Sequence, residues 1–69
     1  MVIKVKIYEG RFGYESFLYE ASGQDGVVCP YKGDFIFYKD ETYKVMYIML
    51  DYDNHEYLVF VRKTTEEDF

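Results

Sequence analysis

The chain has 69 residues, a net charge of −5 and one cysteine, with nine Tyr and six Phe but no Trp. Such a length allows a single domain, whose core is marginal unless it is densely packed or completed by another subunit. The lone Cys29 excludes an internal disulfide, and the acidic balance disfavours direct capture of nucleic acid by charge attraction.

Residues 2–8 alternate, with Ile3, Val5 and Ile7 against Lys4, Lys6 and Tyr8, which is the period-2 pattern of a half-exposed strand. The opening Met-Val-Ile-Lys-Val-Lys run lacks the continuous apolar stretch of a signal peptide, so a cytoplasmic location without membrane association is expected. Two glycines in residues 9–13 suit a turn. Residues 14–21 then alternate again, predicting a hairpin. Residues 22–26 have loop composition, and Val27-Val28-Cys29, stopped by Pro30, predicts a short edge strand. Residues 32–34 turn the chain into a strand at 35–38, residues 39–42 turn it into a strand at 43–50, and the polar turn 51–56 leads to a strand at 57–61.

The last three strands read as a meander with apolar residues on both faces, so one flat sheet would leave an apolar face wet. Closure into a barrel or pairing with a second chain resolves this. The predicted fold is therefore all-β: a small antiparallel sheet of five to six strands, bent or closed as an SH3-like open barrel over residues 1–63, with a flexible acidic tail at 64–69. The run Tyr31-Lys32-Gly33-Asp34-Phe35-Ile36 resembles the glycine-acid turn that opens a strand in many SH3-like barrels, a likeness that carries no function. The closing Glu66-Glu67-Asp68-Phe69 resembles the acidic C-terminal tip of bacterial single-stranded-DNA-binding proteins, but without the proline that precedes their last Phe.

The side chains that chemistry requires are sparse. His55 is the only histidine and lies in a turn among Asp51, Asp53 and Glu56; that stretch lacks the glycine and later glutamate of a calcium loop and reads as a solvated hairpin turn. Cys29 lies in Val-Val-Cys-Pro, where cysteine behaves as a small hydrophobe. No nucleophile-base pattern, phosphate loop or dinucleotide fingerprint occurs, so no enzyme activity, metal or cofactor is expected. Residues 1–13 carry Lys4, Lys6 and Arg11 against Glu9, the one stretch with a basic excess, whereas residues 14–69 sum to −7. Strand-alternating Lys there serves equally as edge protection.

These features point to a non-enzymatic protein-binding module. Tyr supplies large contact area at low entropic cost, and carboxylates in the turns supply attraction to a basic surface. The expected partner face comprises Tyr38, Tyr43, Tyr47, Asp51, Tyr52, Asp53, Glu56 and Tyr57, with further acids at Asp34, Asp40 and Glu41. Such charge spacing follows the logic of small acidic inhibitors carried by phages and mobile elements, and the expected partner is a protein with a basic surface. Two alternatives differ in class: an oligomeric protein that sequesters a nucleotide-like small ligand where subunits meet, and a self-assembling structural protein whose apolar faces are covered by its own copies. Both predict a homodimer or larger assembly.

Overall fold

The computed structural model describes residues 4–22 and 29–69. Over them run β1 (Lys4–Glu9), β2 (Ser16–Ser22), β3 (Phe35–Tyr38), β4 (Glu41–Asp51) and β5 (Glu56–Lys63), followed by a 3-10 turn at Glu66–Asp68. Each of these strands coincides, within two residues at either end, with one of the strands predicted at 2–8, 14–21, 35–38, 43–50 and 57–61. Of the predicted edge strand at 27–29, residues 27 and 28 lie outside the described residues, and Cys29 has no regular structure. Among the described residues, no helix is long and apolar enough to cross a membrane.

The strands make one sheet in the order β2-β1-β5-β4-β3, curled into a half-barrel of the SH3-like open kind. β1 and β2 form an antiparallel hairpin and β3, β4 and β5 an antiparallel meander, but the two units join through a parallel β1–β5 pair. The sheet is thus mixed at one pairing where sequence predicted antiparallel pairing throughout. Parallel neighbours need a long connection, and here β2, β3 and β4 all lie between the two strands in the chain. No tight turn dictates their direction. The register matches apolar faces, with Val5 opposite Tyr57 and Ile7 opposite Val59.

Two bulges shape the sheet. Leu18 in β2 and Met46 in β4 are extra residues with no counterpart on the neighbouring strand. Each extra residue exchanges the faces of the residues after it and sharpens the local twist, which helps the sheet to curl. On the concave face Val5, Tyr43, Val45, Val59 and Val61 form the core, with Ile7, Ile36, Ile48 and Tyr57 packed around them. Curling brings the outer strands β2 and β3 together at a seam closed by side chains, where the Tyr19 and Tyr38 rings lie 5.3 Å apart.

The convex face has an apolar centre of its own. Phe60 is 0% exposed although it points away from the barrel core, because three rings surround it: Tyr47 at 4.9 Å, Tyr8 at 5.7 Å and Phe12 at 6.1 Å between centroids. Phe12 arrives there on the β1–β2 loop, which folds over the sheet. The Gly10 amide donates to the Val61 carbonyl at 2.9 Å and the Phe12 amide donates to Tyr47 Oη at 2.7 Å. Gly10 has φ +110°, and an added Cβ would lie 3.2 Å from the Tyr14 carbonyl, so the fold of this loop requires glycine. The two apolar faces inferred from sequence are thus met by curling on one side and by this loop on the other.

Candidate functional site

The turn that joins β4 to β5 is built on one carboxylate. Asp51 Oδ1 accepts hydrogen bonds from the amides of Asp53 at 3.0 Å and Asn54 at 3.1 Å, and Oδ2 accepts from Asn54 Nδ2 at 2.9 Å. These donors, the Asn54 side chain foremost, hold the Asp51 carboxyl below the usual range for aspartate. His55 closes the turn in the left-handed region, at φ 57°, and is exposed. The result is a rigid projection that carries Tyr52, 81% exposed, and the exposed Asp53. Beside it lies a shallow groove of about 310 Å³ lined by Phe12, Met49, Tyr52, Asp53 and Leu58. Phe12 is itself 58% exposed, so the groove extends the aromatic cluster over Phe60 out to solvent.

The eight residues expected on a partner face are distributed differently. Tyr43 is 6% exposed and belongs to the barrel core, where Tyr57 and Tyr38 also pack. Tyr47 stacks on Phe60 on the opposite face; the Met46 bulge separates it from Tyr43 despite their even spacing. Glu56 is paired with Lys6, Oε2 to Nζ at 2.9 Å, and Lys6 also reaches Glu20 at 3.8 Å. Hydrogen bonding to Glu56 raises the Lys6 ammonium above its ordinary pKa. Of the set, only Tyr52 and Asp53 are exposed.

The two acidic turns do not converge. Residues 39–40 and 52–55 lie at opposite ends of β4, whose eleven residues extend about 36 Å at the rise of a strand. At the first, Lys39 and Asp40 both have positive φ, 50° and 62°, the two-residue hairpin that matches strand twist. Asp34 is engaged locally as well, its Oδ2 accepting from the Tyr31 amide at 2.8 Å. Cys29 is half-buried, its Sγ lies 3.5 Å from the Pro30 carbonyl, and burial pushes its thiol pKa up, so it is a poor nucleophile. Among the described residues no cluster of three or more His, Cys, Asp or Glu is placed to hold a metal ion.

A second depression, open and about 590 Å³ in volume, is lined by Arg11, Lys32, Lys44, Tyr47 and Arg62. Sequence reasoning missed it because its cations come from four separate segments: the β1–β2 loop, the 31–34 turn, β4 and β5. Only the small basic excess of residues 1–13 hinted at one of them.

Residues 64–69, read from sequence as a flexible tail, fold back beside this depression. Thr64 donates to the Thr42 carbonyl through both its amide, at 3.0 Å, and its hydroxyl, at 3.1 Å. Arg62 donates through Nη1 and Nη2 to the two oxygens of Asp68, at 2.9 and 2.8 Å, and the Asp68 side chain is only 8% exposed. That fork, helped by the Thr65 amide at 2.7 Å, holds the Asp68 carboxyl far below the usual aspartate range. The Phe69 ring stacks on Phe35 with centroids 5.2 Å apart. No protein-family model, curated protein or solved structure matches the chain.

Proposed function

We propose that the chain is a non-enzymatic binding module that holds a protein partner at the β4–β5 turn, in the manner of a small acidic inhibitor seated on a basic surface. One observation carries the reading: a rigid turn exposes an aromatic ring, Tyr52, and a carboxylate, Asp53, beside an apolar groove that ends in the exposed ring of Phe12. Large exposed rings that share one depression mark interaction sites more often than scattered ones do. Tyr52 and Phe12 would supply the buried anchors of the complex, and Asp53 with Asp51 would speed the encounter with a basic patch. The pre-formed turn lowers the ordering cost of association, because Asp51 already fixes its backbone.

The test is capture of partners from a nuclease-treated bacterial lysate by the tagged wild-type chain and by Tyr52→Ala and Asp53→Ser variants. The expected result is a stoichiometric protein that wild type retains at low salt, Tyr52→Ala loses, and Asp53→Ser holds with a flatter salt dependence. A partner held equally by all three chains would overturn the assignment of this face.

A further inference from the structure

Four of the eight Lys and Arg residues of an otherwise acidic chain, Arg11, Lys32, Lys44 and Arg62, line the 590 Å³ depression. Lys44 and Arg62 lie directly opposite each other across β4 and β5, a pairing of like charges that destabilises a sheet unless an anion lies between them. Here the anion is the chain's own: Asp68 is forked by Arg62 and lies 3.8 Å from Lys44 Nζ. Arg11 and Lys32, which also line the depression, have no ion-pair partner among the described residues. Lys32 is held over the depression by the 31–34 turn, in which the Asp34 amide donates to the Tyr31 carbonyl at 3.0 Å and Gly33 takes φ +90°.

We infer that this depression is a binding site for a small phosphorylated ligand, and that Asp68, paired with two of the cations that line it, is an intramolecular anion that competes with that ligand. A guanidinium fork recognises carboxylate and phosphate by the same geometry, so Asp68 marks a position that a phosphoryl group fits. Arg11 and Lys32 provide for further charge, which a diphosphate carries and a lone carboxylate does not. The volume lies within the range of small-molecule sites. An extended nucleic acid fits poorly: with four positive charges in the depression and −5 overall, the remainder of the chain sums to −9 and repels a polyanion that runs beyond the site. This site is separate from the β4–β5 turn face, and neither assignment depends on the other.

Titration calorimetry on the full chain at low ionic strength, with pyrophosphate, ADP, adenosine and a thymidine oligonucleotide as probes, tests the inference. Pyrophosphate and ADP should bind one to one and adenosine should not bind. The Arg11→Ser/Lys32→Ser double variant should bind them about tenfold or more weakly, and Asp68→Asn, freed of its internal competitor, about tenfold more tightly. The site assignment fails if neither wild type nor Asp68→Asn shows saturable binding, or if the double variant binds as wild type does. Tighter binding of the oligonucleotide than of ADP would overturn the small-ligand class. Unchanged affinity in Asp68→Asn would refute the competing role of the tail without touching the site itself.

Discussion

Phe60 offers the sharpest test of how this small sheet is stabilised, because its ring is fully buried on the face opposite the barrel core. Its neighbours Tyr47, Tyr8 and Phe12 lie at centroid distances of 4.9, 5.7 and 6.1 Å, the first two stacked and the third edge-on. Each such pair contributes about 0.5–1.5 kcal/mol beyond area burial. A domain of this length has a total stability of roughly 3–10 kcal/mol, and Phe→Ala in a core costs about 3–5 kcal/mol. Phe60→Ala should therefore remove roughly a third of the stability at the upper end of that range and all of it at the lower end. Phe60→Leu keeps most of the volume and loses the three ring pairs, at a cost of about 1.5–4.5 kcal/mol. With a urea dependence of about 1 kcal/mol per molar, its midpoint should fall by about 1.5 M or more. Urea titration followed by tyrosine fluorescence measures this, with Phe37→Leu as the control. The Phe37 side chain is 71% exposed, and its loss should cost less than about 0.5 kcal/mol. If the two Leu variants share a midpoint, the aromatic cluster does not stabilise the convex face.

Two further expectations concern carboxylates. Asp51→Ala removes three accepted hydrogen bonds from the β4–β5 turn and should destabilise the fold by about 1–2 kcal/mol in the same assay, whereas Asp53→Ala should stay within about 0.5 kcal/mol of wild type. The Asp68 carboxyl, held down chiefly by Arg62, should titrate well below the ordinary aspartate value of 3.8 in a carboxyl-carbon NMR experiment. Because folding lowers this pKa, the pair's contribution is fully present above 3.8 and is lost as pH falls through the folded value. A midpoint near 3.8 would mean that the tail is undocked in solution.

Strand positions were legible because period-2 alternation survives in most of the chain, as in Val5 and Ile7 against Lys4 and Lys6. Turns were legible for the same local reason: glycines at 10 and 13, and polar, acid-bearing segments at 39–42 and 51–56. What could not be read was which face each aromatic takes. Tyr43 and Tyr47 are four residues apart and would share a face in an unbroken strand, yet the single extra residue Met46 sends one into the barrel and the other onto Phe60. The expected partner face drew on the Tyr set without a known register, and a shift of one residue exchanges the two faces. The parallel β1–β5 pairing and the cationic depression were hidden for a related reason, since both are made by segments far apart in the chain. The docking of Asp68 on Arg62 spans only six residues, but acidic composition alone reads as solvated tail and does not reveal a fork waiting for it.

The place of β5 in the sheet governs how the molecule must assemble. It is the last strand in chain order and the central one in space, flanked by β1 on one side and β4 on the other. It also carries Val59, Phe60 and Val61, three consecutive side chains with no exposure at all, which serve both faces. The β1–β2 and β3–β4 hairpins form local pairs, but without β5 they have no common sheet and neither apolar face has its centre. Folding thus includes the long-range closure of β1 on β5, in which the largest loop-entropy cost among these pairings and a large gain in burial fall on the same event. The two hairpins therefore gain a common core only when β5 takes its place between β1 and β4.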